Sequence, residues 1–304
     1  MRRPARAGYT LAEMMIVMLI LAIIGTALVR VMVKSQQSFK DSSNQSAMQR
    51  ELRLTGSFLP AEMRSSSSAG LDVKTMNEDE FEFLANIGSG IICDRTTAAQ
   101  IVVPPLNAAK MTLTNWYTQP VAGDSVFLYN EGTLMGAEDD VWVRSAISSI
   151  VTSTSCPGAP YTDATQDAGK SRYRITLTTG ALPDSVKLGS VVRFSRPVRY
   201  KLYQATSGNW YMGYQENVNG AWSTIDAVGG PFRAFQSGDA NPSGLQFRYF
   251  DSTGVRLTST STKSRLSRVD VYLRTNAGTA NVTTRRPNQV RDSVMMRVGL
   301  RNFK

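Results

Sequence analysis

The sequence predicts an α+β fold, in which one long N-terminal helix packs on a mainly antiparallel, β-rich globular domain. Three observations predict it. Residues 14–29 form an uncharged apolar run, helical composition continues to about residue 59, and short alternating apolar and polar segments fill much of the remaining chain. The 304 residues are enough to bury a full hydrophobic core.

The apolar run near the N-terminus predicts a transmembrane helix over residues 9–33. Residues 11–29 are interrupted by a single charge, Glu13, and a helix needs about 20 apolar residues to cross the hydrocarbon core. Three arginines precede the run, which places residues 1–8 in the cytoplasm and sends the rest of the chain outward. No small-residue cleavage pattern follows the run, as it would in a secretory signal peptide.

Helical composition continues beyond the membrane, and residues 34–63 are predicted to form a periplasmic, amphipathic half of the same helix. Met48, Leu52, Thr55 and Leu59 recur at helical spacing. From residue 9 to about residue 59 such a helix would be roughly 75 Å long. We expect one face of its second half to pack on the globular domain, which is assigned to residues 64–304.

Strands are predicted from alternation in this domain. Val269, Val271 and Leu273 alternate with more polar neighbours, and residues 294–300 do the same. Turn signals, such as Ser207-Gly208 and Asn219-Gly220, separate many of the runs. Further runs of this kind occupy residues 100–104, 124–130, 172–179, 191–204, 209–216 and 245–251.

The residues before the apolar run resemble the type III signal of type IV prepilins and pseudopilins. The matching residues are Gly8, Tyr9, Thr10, Leu11, Ala12 and Glu13. The resemblance implies that a prepilin peptidase cuts between Gly8 and Tyr9 and methylates the new amine of Tyr9. It also implies that Thr10, Leu11 and Glu13 serve subunit assembly, with Glu13 paired to the N-terminal amine of a neighbouring subunit. A Glu13 that simply reaches water at the interface is the alternative.

The C-terminal region also resembles part of this family. A strand at residues 268–275, a polar loop and a last strand that closes at residues 300–302 are similar to the ends of large minor pilins. The resemblance is to PilW-type minor pilins and to J-type minor pseudopilins of type II secretion. It implies a minor subunit that helps to initiate assembly at the filament tip. Its partners would be other subunits, the prepilin peptidase and an inner-membrane assembly platform.

The implied localisation is the inner membrane, with a single span and a periplasmic C-terminal domain, followed by the pilus or pseudopilus. In that oxidising compartment Cys93 and Cys156 would form a disulfide. Two free buried thiols are the alternative.

Catalysis is not expected. The chain has no histidine, and it lacks the common nucleophile, nucleotide and zinc motifs. Acidic clusters at residues 78–80 and 138–140 lack the ligand spacing of a calcium site and are interpreted as solvated loops. We therefore predict no enzyme activity, no cofactor and no metal.

Two alternatives remain at this point. One is a pilus-borne adhesin or DNA-binding minor pilin, because the net charge is +10 and many arginines lie late in the chain. We expect those arginines to be spread over both faces of their strands, which makes nucleic acid a weaker expectation. The late arginines are Arg265, Arg268, Arg274, Arg285, Arg286, Arg291, Arg297 and Arg301.

The other alternative is an uncleaved, single-span periplasmic membrane protein.

Overall fold

The computed structural model describes residues 10–67, 72–110, 113–134, 138–237, 243–275 and 292–300. These residues form two compact units, one of residues up to Arg50 and one from Glu51 onward. Apart from Thr10, the described residues of the first unit are all helical. The second contains the strands and the end of the helix.

One helix, α1 (Leu11–Met63), accounts for 53 residues. Its sequence is free of proline until Pro60, which lies in the last turn. There the missing N–H leaves a single carbonyl without its helical donor, and α1 continues for three more residues. The N–H of Arg64 then donates to the Pro60 carbonyl at 3.0 Å and closes the final turn.

The second unit is rich in short strands. In the part of the chain that the structure describes they are β1 (Val73–Met76), β2 (Glu80–Ile91), β3 (Asp94–Thr97), β4 (Gln100–Val103), β5 (Asn115–Trp116), β6 (Ser125–Asn130), β7 (Val141–Ser153), β8 (Arg172–Leu177), β9 (Val191–Gln204), β10 (Trp210–Val218), β11 (Ala221–Trp222), β12 (Asp226–Phe232), β13 (Leu245–Phe250), β14 (Arg256–Leu257), β15 (Arg268–Arg274) and β16 (Ser293–Gly299). A 3-10 helix occupies Thr260–Arg265.

Two antiparallel sheets organise these strands. The larger has the order β1-β2-β9-β6-β7-β8-β4-β3, with β10 to β12 branching from β9 and β5 paired to β2. The smaller has the order β14-β13-β15-β16. A long N-terminal helix and antiparallel sheets confirm the predicted α+β class.

The central strand of the larger sheet is β9. One side of it pairs with β2 along most of its length. Its other side pairs with β6 through residues 192–195 and with β10 through residues 198–204. Pro197 lies in the gap between those two partners, where its missing N–H removes no ladder bond on that side. A proline in a central strand is therefore tolerated, because the strand changes partner there.

The first hydrophobic core lies under the end of α1. Leu52, Leu59 and Met63 are buried in it with aromatic residues of β2 and β13 and with the inward residues of β15. Thr55 approaches β12 so closely that a Cβ added at Gly229 would overlap its hydroxyl. The glycine therefore sets how near the helix can lie to that strand.

A second core is separate from the first. It is formed by aliphatic residues of β4, β6 and β8, by the start of β9, and by residues at the end of β2. The buried members are Ile87, Ile92, Ile101, Val103, Val126, Leu128, Ile147, Ile175, Leu177, Leu182, Val186, Val192 and Phe194.

We expect Leu59→Ala to destabilise the second unit by about 2–5 kcal/mol, because Leu59 is 0% exposed and its removal leaves a cavity. Leu54→Ala is the matched control: the same change five residues earlier in the helix removes a side chain that is 51% exposed, and it should cost about 0.5 kcal/mol or less. Urea unfolding of the full chain in micelles, followed by tryptophan fluorescence, measures both. Equal losses for the two variants would contradict the packing of this helix end.

Candidate functional site

The first part of α1, centred on the apolar run of residues 14–29, presents an apolar surface on all its sides. Every described residue from Thr10 to Lys40 is exposed, and among them Leu11 is 80% exposed. Among the described residues, α1 is the one helix that is long and apolar enough to cross a membrane. A helix that is apolar all round is stable when lipid or other helices surround it.

Thr10 and Glu13 form a reciprocal cap at the start of this helix. The Thr10 backbone N–H donates to Glu13 Oε2 at 2.9 Å, and the Thr10 hydroxyl donates to the same oxygen at 3.1 Å. In return, the Glu13 N–H donates to Thr10 Oγ1 at 3.3 Å. This is the capping-box arrangement, which satisfies two N–H groups that a helix start otherwise leaves without partners.

The capping role was missed from the sequence, although the T-x-x-E spacing before an apolar run was there to indicate it. The structure brings Thr10, Leu11 and Glu13 together in the first helical turn. Gly8 and Tyr9, the predicted cleavage and methylation residues, lie outside the described residues.

Cys93 and Cys156 are joined in a disulfide, with their Cα atoms 5.4 Å apart. Cys93 is buried directly after β2, and its N–H donates to the Val102 carbonyl at 2.9 Å. Cys156 follows β7. The bond therefore links two strands that flank the second core.

A polar network lies beside the other end of α1. The Tyr200 hydroxyl on β9 donates to the carboxylate of the half-buried Glu62. Burial raises the pKa of Glu62 above its ordinary value of 4.5, the Tyr200 hydrogen bond opposes this, and the charge of Glu216 adds to it. Burial and the nearby Glu62 also raise the pKa of Tyr200. Glu62 therefore gains a proton more readily here than in the unfolded chain.

Arg196 joins β10 to the loop before β6 in a second polar cluster, which meets the first where the rings of Tyr200 and Tyr214 lie 5.2 Å apart. Its Nε and Nη2 donate to the two oxygens of Asp124 at 2.9 and 2.8 Å, and its Nη1 donates to Glu216 at 3.0 Å. Both Arg196 and Asp124 are buried. The Asp124 hydrogen bond raises the pKa of Arg196 further above its ordinary value. Tyr214 donates to the other oxygen of Glu216 at 2.9 Å, which completes a chain of paired polar groups.

The sequence did not reveal this network, because its members come from four distant segments. Arg196 precedes Pro197 in the middle of a predicted strand, and a charged residue there is the one local sign of a buried ion pair.

The acidic clusters have structural partners. Glu78 forms an ion pair with Arg256 at 3.0 Å. Asp139 accepts hydrogen bonds from the backbone N–H groups of Thr133 and Leu134, at 2.6 and 3.0 Å. Among the described residues, groups of three or more histidine, cysteine or carboxylate side chains that could hold a metal are absent.

The late arginines are not arranged as expected. Arg268, Arg274 and Arg297 project from one face of β15 and β16, because paired or alternate residues of a sheet share a face. The expectation that they spread over both faces is therefore wrong for these three. Arg265 lies apart in the 3-10 helix and forms an ion pair with Asp251 at 2.7 Å. Arg285, Arg286, Arg291 and Arg301 lie outside the described residues.

Comparison with known families bears on the N-terminus. Residues 3–29 match the prokaryotic N-terminal methylation motif. No curated protein and no solved structure matches the chain significantly. The chain thus carries a prepilin-type signal, which, with the exposed apolar helix, supports membrane anchoring and a type IV pilin-like or pseudopilin class.

We expect Glu62→Gln to change the pH dependence of stability. The pKa of Glu62 is raised in the folded chain, so the ionised form of Glu62 is less favourable there than in the unfolded chain. The stability that Glu62 contributes to the folded chain is therefore lost as pH rises from 4.5 through that raised pKa. Glutamine keeps an acceptor for Tyr200 and carries no charge. The melting temperature of the variant minus that of the original chain should therefore increase from pH 4 to pH 8.

Melting temperatures of the two chains, measured across that pH range and subtracted, isolate this residue from the other titrating groups. Glu138→Gln, which alters an exposed carboxylate, is the control. A difference between Glu62→Gln and the original chain that stays constant with pH would show that the pKa of Glu62 is the same in the folded and unfolded chains, which contradicts the raised pKa.

Proposed function

We propose that this chain is a minor pilin or pseudopilin subunit of a type IV pilus or type II secretion filament, active in assembly initiation near the filament tip. The observation that carries the proposal is the methylation motif at residues 3–29 on a helix whose first part is exposed and apolar on every side. The role is one of binding and assembly rather than catalysis.

In this proposal, a prepilin peptidase cuts between Gly8 and Tyr9 and methylates the amine of Tyr9. The subunit waits in the inner membrane with its C-terminal domain in the periplasm until an assembly platform extracts it. The helix then exchanges lipid for the helices of other subunits, which offer a similarly apolar surrounding. The Cys93–Cys156 disulfide is in keeping with an oxidising compartment.

Glu13 would serve two partners at once. Both hydrogen bonds from Thr10 reach its Oε2, so the cap and an ion pair through Oε1 are compatible. A carboxylate costs up to about 2.5–3.5 kcal/mol at the centre of a bilayer and less near the interface, and Glu13 lies in the first turn of the helix. An amine from the neighbouring subunit would remove that cost in the filament, and this difference favours the assembled state.

The size of the second unit supports a minor rather than a major subunit, as the resemblance to large minor pilins implies. Whether the filament serves motility or secretion depends on its partner subunits.

The first test is the intact mass of the full chain extracted from membranes, with and without a co-expressed prepilin peptidase. We expect loss of residues 1–8 and the addition of one methyl group on Tyr9. A prepilin of known processing, expressed in the same cells, verifies that the peptidase is active. An unchanged mass alongside a processed control would overturn the proposal and leave an uncleaved, single-span membrane protein.

The second test is Glu13→Gln. Glutamine also serves at this position of a capping box, so the helix start is kept while the charge is removed. We expect normal amounts in the membrane fraction and at least about thirtyfold less in sheared filaments, because losing one partner of a desolvated charge pair costs about 2–5 kcal/mol.

Thr10→Val is the matched variant, since it removes the hydroxyl of the cap and keeps the carboxylate. It should be incorporated better than Glu13→Gln. Normal incorporation of Glu13→Gln would exclude the ion pair and leave capping as the role of this residue.

A further inference from the structure

The smaller sheet has one face that is unusually rich in arginine. Its inner face, with Phe247, Val271 and Leu273, is buried in the first core. Paired residues share a face in an antiparallel sheet, so the register of β13, β15 and β16 defines the outer face. We call it the arginine face, and its residues are Gln246, Arg248, Phe250, Arg268, Asp270, Tyr272, Arg274, Ser293, Met295, Arg297 and Gly299.

The charges on the arginine face are unbalanced. Four arginines on these strands accompany one carboxylate, that of Asp270. Its oxygens lie 2.9 Å from Arg268 Nε and 3.9 Å from Arg297 Nε, and the shorter contact is not aligned as a hydrogen bond. Counting only the described residues of β13, β15 and β16, the face carries a net charge of three positive units, four minus one. The side chain of Arg297 is 65% exposed.

Aromatic rings hold several of these guanidinium groups in place. Arg248 and Arg274 each lie over the ring of Tyr272, 4.9 Å from its centre. Arg268 lies 4.3 Å from the centre of the Phe250 ring. Stacking fixes the plane of a guanidinium and so fixes the directions in which its N–H groups point. Such pre-ordered donors lose less entropy when they bind an anion.

A buried donor beneath the arginines also lacks a partner in the described residues. Gln246 is almost fully buried, and its Nε2 makes no hydrogen bond, whereas its Oε1 lies 3.4 Å from Arg274 Nη1. Burial and the neighbouring charges of Arg248 and Arg233 lower the pKa of Arg274. An anion at this face would accept hydrogen bonds and reduce the mutual repulsion of the cations.

We propose that the arginine face binds nucleic acid through the phosphate backbone, without regard to base sequence. The cations on these strands are all arginine, which pairs with phosphate through two parallel hydrogen bonds. The seven residues of β15, from Arg268 to Arg274, span six steps and extend for about 20 Å. A strand of DNA presents a phosphate about every 3.4 Å along its axis, so this length matches about six phosphates.

A membrane surface fits the same face less well. Proteins that lie on acidic lipid usually combine cations with several exposed large apolar side chains. On the arginine face Met295 is the one large apolar residue exposed by more than a third among the described residues.

The test uses the full chain in nanodiscs of uncharged phosphatidylcholine, with fluorescent 30-base DNA, both single-stranded and duplex. Anisotropy titrations between 20 and 200 mM NaCl give the affinity and its salt dependence. We expect micromolar binding at low salt and a slope of log K against log salt of about −3 to −4. A shuffled base sequence should bind equally well.

Arg248→Gln/Arg297→Gln should weaken binding at least tenfold and reduce the slope by about two. Arg248→Lys/Arg297→Lys, which keeps the charge, should retain most of the slope. Lys110→Gln/Lys187→Gln removes two exposed charges elsewhere in the second unit and is the matched control. Melting temperatures verify that each variant is folded.

Three results would overturn the proposal. They are no binding of DNA at 20 mM salt, equal DNA binding by Arg248→Gln/Arg297→Gln and Lys110→Gln/Lys187→Gln, or capture of the chain by phosphatidylserine vesicles without binding of DNA. None of these outcomes depends on cleavage at Gly8, so the proposed filament role stands or fails separately.

Discussion

The constraint on which the chain depends is that the first part of α1 cannot remain in water. Its backbone groups are satisfied within the helix, but its side chains from residue 14 to residue 29 are apolar on every side and are exposed in the described structure. Lipid and neighbouring helices solve this problem about equally well. A polar group is therefore needed to distinguish the two surroundings, and Glu13 is the one carboxylate in the span.

The end of the same helix has the opposite character, because its partners are built into the chain. Leu52, Leu59 and Met63 are buried in the first core, and the close approach of Thr55 to Gly229 fixes the helix against β12. Glu62 adds a hydrogen bond from Tyr200. A single helix thus depends on other molecules in one part and on its own domain in the other.

The fold class and eight of the strands could be predicted from the sequence, because their residues alternate between apolar and polar or are rich in β-branched side chains. The strand β2 was missed even though Phe81 and Phe83 alternate with glutamates, since the preceding acidic cluster suggested a loop. In β7 small and polar residues dominate, and the strand exists because β6 and β8 pair with it. Tertiary pairing, rather than local propensity, determines such strands.

Of the site, the prepilin-type signal was evident in the sequence, whereas the arginine face and the Arg196 network were not. A linear pattern indicates that residues alternate, but the partner strand and its register decide which side chains meet. Arg248 joins Arg297 across Asp270 only through the pairing of β13, β15 and β16. Likewise, the contact of Arg196 with Asp124 joins residues 72 positions apart.

The presence of two separate cores has a consequence for how this domain can vary. The first core contains the helix end. The second is enclosed by β4, β6 and β8, and the Cys93–Cys156 bond links the segments that follow β2 and β7 beside it. Loops around the second core can lengthen, shorten or change sequence without altering the residues on which the helix rests. The domain can therefore acquire new surfaces at that end while its attachment to the helix stays the same.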